Sequence, residues 1–127
     1  MNNLKKYYNY DIGVLLIRLA LAAVFIAHGW GKFSDMTGTV GFFSSLGINS
    51  LFAYLVAATE LLGGVAMLLG IWTKWAGILL AIVMIGAIYF VKFAKGPMGY
   101  ELELTLLLTA LGVSMMDPGK YAVHKKK

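Results

Sequence analysis

Long apolar stretches separated by short polar breaks organise this chain. The first runs from Ile12 to Ala27, interrupted only by Arg18, and passes into His28-Gly29-Trp30-Gly31-Lys32. Leu51 to Trp72 follows with Glu60 as its only charge, and Trp75 to Val91 carries none. Such runs read as membrane-spanning helices, because about 20 apolar residues cross a ~30 Å hydrocarbon core. A signal peptide is the competing reading of the first run, with Lys5 and Lys6 as its basic start and Ala20-Leu21-Ala22 as a cleavage site. Arg18 would break its apolar centre, and the run continues past that site. A fourth helix starts near Tyr100 and stops at Met116, before the breaker Asp117-Pro118-Gly119. Its apolar part spans roughly 22 Å, which suits either a thin crossing or a re-entrant segment.

The connection from Lys32 to Ser50 has a pattern of its own. Val40, Phe43 and Leu46 recur three apart, Phe42 flanks them and Gly47 offers a C-cap, which predicts a short interfacial helix on the outer side. The other connections are short, so successive helices should pair as hairpins. The expected fold is therefore all-α: an integral membrane four-helix bundle of two antiparallel hairpins. It forms one domain over residues 1–127, with helices at about 12–30, 51–72, 75–93 and 100–116 and a basic tail at 117–127. Gly13-Val14-Leu15-Leu16 matches Gly77-Ile78-Leu79-Leu80, which reads either as a hairpin duplication or as chance likeness between apolar helices.

Composition supports the membrane reading. Of 127 residues, 60% are hydrophobic and 13% charged, with a mean hydropathy of +0.77, too apolar to cover a soluble surface of this size. The absence of cysteine removes disulfides, CxxC chemistry, thiolate zinc sites and iron–sulfur ligation, so any electron transfer needs a borrowed cofactor. The net charge of +5 does not point to nucleic acid, because the basic residues sit at segment ends and in the tail. Four crossings gather Lys5, Lys6, Lys74, Lys120 and Lys125, Lys126 and Lys127 on one side, against Lys32, Lys92 and Lys95, which makes both termini cytoplasmic.

A charge inside a membrane helix costs about 2.5–3.5 kcal/mol, so Arg18 and Glu60 need an explanation. Depth arithmetic puts Arg18 roughly 9 Å from the inner end of its helix and Glu60 roughly 15 Å from the outer end of the next, within reach of each other. The pair is either a structural lock or part of a polar interior site. Small residues at Gly63, Gly64, Ala23, Ala27 and Gly31 serve helix packing or close ligand approach. At the outer end His28 and Lys32 share a helical face, and Glu101, Thr105 and Thr109 form a stripe that points Glu101 inward and Glu103 away. Roofed by Trp30, Phe42, Phe43 and Tyr100, these groups would suit a quinone headgroup, although aromatic and lysine residues also collect at headgroup depth as anchors. A bis-histidine haem is not expected, since His28 and His124 lie at opposite ends, and there is no phosphate loop, HExxH, GxSxG or metal cluster.

In order and spacing, Arg18, His28-Gly29-Trp30-Gly31-Lys32-Phe33, Gly41-Phe42-Phe43 through Leu46-Gly47, Glu60-Leu61-Leu62-Gly63-Gly64, Leu69-Gly70, Gly99-Tyr100-Glu101-Leu102 and Asp117-Pro118-Gly119-Lys120-Tyr121 resemble the DoxX family of small bacterial membrane proteins. The resemblance covers nearly the whole chain. It implies a four-helix protein of the bacterial cytoplasmic membrane, related to the small subunit of thiosulfate:quinone oxidoreductase and to subunits of membrane oxidoreductase complexes. The wider superfamily is similar to proteins that assist assembly of others. Asn49 stands where such proteins often carry proline. The leading expectation is a membrane subunit that binds or positions a quinone for a partner redox protein, and not an enzyme by itself. Arg18, Glu60 and Glu101 form its buried polar set, with His28 and Lys32 as donors. The alternatives are a scaffold or assembly factor that docks a client membrane protein, and a small-molecule or proton carrier, which would need a homo-oligomer.

Overall fold

The structure, a computed structural model, describes residues 8–92 and 96–123, apart from the side chains of Lys92 and Pro97. Lys5, Lys6, Lys95, His124 and the three closing lysines lie outside the described residues. Five α-helices follow in order: α1 (Tyr10–Ser34), α2 (Met36–Ser45), α3 (Ser50–Leu69), α4 (Thr73–Ala87) and α5 (Pro97–Ser114), with a π-helical stretch at Ile88–Lys92 after α4. Among the described residues, three stretches are long and apolar enough to cross a membrane: Tyr10–Ser34, Ser50–Leu69 and Thr73–Val91. α5 is not among them; Glu101 and Glu103 lie in its second turn.

Polar side chains cap the starts of α1, α2 and α3. Asn9 accepts from Ile12 N (3.0 Å), Asp35 from Gly38 N (3.0 Å) and Asn49 from Leu51 N (2.8 Å), each satisfying an amide that the helix leaves open. Asn49 thus caps α3 where a proline could not accept from its side chain. The α3–α4 turn depends on Gly70 at φ 76°, whose amide returns to Ala66 O, and on Trp72 at φ 48°, a left-handed conformation that a non-glycine residue adopts only at a cost.

α1 packs mainly on α3, and α4 mainly on α5. Glycines set both approaches. A Cβ added to Gly29 would lie 2.5 Å from Leu61 N, one on Gly64 2.8 Å from Ile26 Cγ1, and one on Gly77 2.5 Å from Ala110 O. Side chains there would hold the backbones apart, and close packing is what joins helices in lipid. Leu21, Phe25, Met67, Leu80, Met84, Leu106 and Val113 fill the common core. The matched glycines Gly13 and Gly77 occupy unlike surroundings, since nothing lies within 4 Å of a Cβ on Gly13.

Candidate functional site

The α1–α3 register decides which charges meet. Gly29 faces Leu61 and Gly64 faces Ile26, which brings Lys32 level with Glu60. Lys32 Nζ lies 2.7 Å from Glu60 Oε1, and the carboxylate is 2% exposed. Fourteen residues earlier on α1, Arg18 is roughly 21 Å away along the axis. The expected meeting of Arg18 and Glu60 is therefore not what the structure shows. The depth arithmetic took the ends of the two helices as level, whereas α3 continues past the end of α1 to meet α2.

Arg18 is fully buried at the end that carries Asn9 and Val123, the terminal end. Its Nη1 donates to Met67 O and its Nη2 to Tyr121 O, both at 3.3 Å; among the described residues its Nε has no hydrogen-bond partner. The segment after α5 covers it. Lys120 N donates to Asp11 Oδ1 (3.0 Å), Val123 N to Leu69 O (2.8 Å) and Tyr10 OH to Asp117 O. Residues 117–123 are thus packed against α1 and α3 rather than forming a solvated tail. Gly119 (φ 89°) lies against Val14, and Gly70 against Ala122 and the Arg18 guanidinium.

At the opposite end, which carries α2, a cavity of about 550 Å³ opens among α1, α2, α3 and the end of α4. His28, Lys32, Glu60 and Glu103 supply its ionisable wall, and Phe42, Phe43 and Leu46 of α2 lie over one side. His28 is also held edge-on to Phe25, with ring centres 6.4 Å apart. Of the sequence-derived site residues, His28, Lys32 and Glu60 come together here with Phe42 and Phe43; Arg18, Glu101, Trp30 and Tyr100 do not line the cavity.

Glu103 takes the place assigned to Glu101. Glu103, Leu106, Ala110 and Val113 share the buried face of α5, while Glu101 and Thr105 are exposed. Thr109 Oγ1 bonds back to Thr105 O at 2.6 Å, so the polar stripe satisfies itself on the outside. The sequence reading missed Phe52, Val56, Ile82, Gly86 and Phe90 as well. Their signal was present: Phe52, Val56 and Glu60 recur every four residues, as do Ile82, Gly86 and Phe90.

The DoxX family model matches residues 13–93. The chain is 42% identical over 108 residues to a Bacillus subtilis protein named "Putative oxidoreductase CatD", covering 84% of this chain and 81% of that one. It is 28% identical over 119 residues to the Escherichia coli inner membrane protein YqjF, covering 91% and 92%. With the membrane protein Rv3486 of Mycobacterium tuberculosis it shares 30% over 131 residues, covering 89% and 80%. No solved structure matches the chain.

Proposed function

The chain belongs to the DoxX family, and on that premise we propose that it is a membrane subunit of a quinone-linked oxidoreductase system, holding a quinone or similar small amphipathic ring for a partner redox protein. The observation that carries this reading is the cavity at the α2 end, about 550 Å³ with mostly apolar walls and the Lys32–Glu60 pair among its lining. That volume lies in the usual range for small-molecule sites, which combine apolar walls with a few placed polar groups. Lys32 offers ammonium protons to a ring oxygen, Glu60 fixes the ammonium and His28 adds a second polar wall. The chain's part is binding and positioning; the redox centre is the partner's. The name of CatD supports the link to oxidoreductase chemistry.

The same reading has α5 complete a fourth crossing, with both termini cytoplasmic and α2 at the outer interface. Its support is the charge placement: Lys74 and Lys120 sit at the terminal end and Lys32 at the other. The test of function is mass spectrometry of lipophilic molecules and proteins that co-purify in mild detergent from the native membrane, for wild type and Glu60→Gln. A ring lipid at near-equal molar ratio, lost from the variant, is the expected result. A protein client without such a lipid, unchanged in the variant, would replace this reading with the scaffold one.

A further inference from the structure

The α3–α4 hairpin is shut at one end and open at the other. Beyond the Gly70 turn, Gly63 brings α3 against α4 so closely that an added Cβ would lie 2.9 Å from Leu80 Cδ2. Past that contact the cavity begins, with Phe52 and Val56 on α3 and Ile82, Gly86 and Phe90 on the chain from α4 onward. Exposure is graded along this wall. Glu60 is 2% exposed, whereas Phe52, Ile82 and Phe90 are 53%, 56% and 50% exposed. Those three stand on or beside stretches apolar enough to cross a membrane, so their exposed faces meet hydrocarbon. Bulky apolar side chains at the mouth and a buried carboxylate at the back are the reverse of a cleft that opens to water.

The geometry points to a lateral portal between α3 and the end of α4, through which the site takes its ligand from the bilayer and along which the ligand's hydrocarbon chain lies. This rests on the reading of the cavity as a ligand site, and it narrows the class. The ligand is a lipid-soluble ring compound with one long hydrocarbon chain, its ring oxygens turned towards Lys32 and Glu60. A headgroup that reached the site from water would leave the apolar lips bare, whereas a chain seated between them replaces the lipid tails displaced by the open hairpin. Gly86 gives a clean handle on the portal, because no atom lies within 4 Å of a Cβ built there. A side chain can therefore start from that helical position without meeting the fold at its Cβ, on the wall of the ligand's proposed path, and leucine favours the helix more than glycine does.

The test uses the full chain in nanodiscs with a benzoquinone and a naphthoquinone, each offered with and without a decyl chain that bears a photoreactive diazirine at its end. In wild type the label is expected on the peptides that hold Phe52, Ile82 or Phe90. Gly86→Leu is expected to weaken the chain-bearing probes about tenfold, the usual scale of an overpacking clash, and the chainless probes by less than about twofold. Ile82→Trp, at an exposed lip, should repeat that split and stands in if Gly86→Leu does not fold. Labelling on α2 instead, or equal weakening of both kinds of probe, would overturn the portal while leaving the site. If no probe binds wild type saturably, the site itself is wrong and the portal falls with it.

Discussion

Arg18 and Glu60 are both buried in apolar helices, and the molecule treats them in opposite ways. Arg18 is 0% exposed and spends its guanidinium on two backbone carbonyls, under a lid made by the last described residues. Glu60 is 2% exposed and faces a lysine that is itself 26% exposed, with a cavity alongside. Each charge costs a comparable amount to place in a membrane. Their difference lies in the space beside them: the Gly70 backbone lies so near the guanidinium that an added Cβ would collide with it, whereas the carboxylate borders a void. Burial thus marks both residues as exceptional, and free volume separates the one that fastens helices from the one that can receive a molecule.

The largest effect that would break this comparison is expected at Arg18. Arg18→Leu strips Met67 O of its donor at a buried site and Tyr121 O at a part-buried one, and a stranded buried group costs about 1–3 kcal/mol. A loss of about 3 kcal/mol or more should appear in denaturant titration of the detergent-solubilised protein, with faster tryptic cutting at Lys120 as its lid loosens. Wild-type stability in this variant would show that the terminal end does not depend on the arginine. Glu60→Gln should do the converse. Glutamine keeps the shape and an acceptor for Lys32, whose side chain is itself 26% exposed, so the stability loss should stay below that of Arg18→Leu. Ring-ligand affinity, measured as in the nanodisc titrations, should fall about tenfold, the scale of one charge-assisted hydrogen bond. A variant that loses stability and keeps affinity would exchange the roles of the two charges.

A smaller change sharpens the picture of the lid. Gly119 has φ 89°, and a Cβ there would lie 2.7 Å from Val14 Cγ1. Gly119→Ala should cost about 1–2 kcal/mol from left-handed strain and crowding together. Hydrogen exchange should rise at the amides of Lys120 and Val123, which bond to α1 and α3, and not at the α2 end. Exchange that rises equally at both ends would mean that the two regions unfold as one unit.

How much of this was open to the sequence differs between the two ends. The long apolar runs fixed the positions of α1, α3 and α4, because a stretch of some 20 apolar residues admits few other structures. The apolar recurrence at Val40, Phe43 and Leu46 foretold a helix in the connection, which α2 provides. His28, Lys32 and Glu60 were visible as ionisable groups in apolar surroundings, and they line one cavity. What the sequence concealed was register. Whether Glu60 meets Arg18 or Lys32 depends on a shift of several turns between α1 and α3, and that shift is set by the seats of Gly29 and Gly64 rather than by the charges. The packing of residues 117–123 was hidden for a related reason: a short segment of mixed polarity shows no periodicity, and its fit depends on Asp11 and Tyr10 at the far end of the chain.

The two glutamates of α5 offer the finest test of the same principle, since they are two residues apart and differ mainly in which face they occupy. A polar stripe through Glu101, Thr105 and Thr109 made Glu101 the natural choice for the interior, yet a packed helix buries whichever face fits closely against its neighbour. Here that face is Glu103, Leu106, Ala110 and Val113, with Ala110 O beneath Gly77 of α4. Glu101→Gln should therefore change ring-ligand affinity by less than about twofold, while Glu103→Gln, on the cavity wall, should change it by at least about threefold, within the range for a hydrogen bond to a charged group. Titrating both variants with the same chain-bearing probe reads the difference directly. If Glu101→Gln were the more damaging of the two, then α5 would present its polar stripe to the ligand, and the buried face seen here would not be the one that works in the membrane.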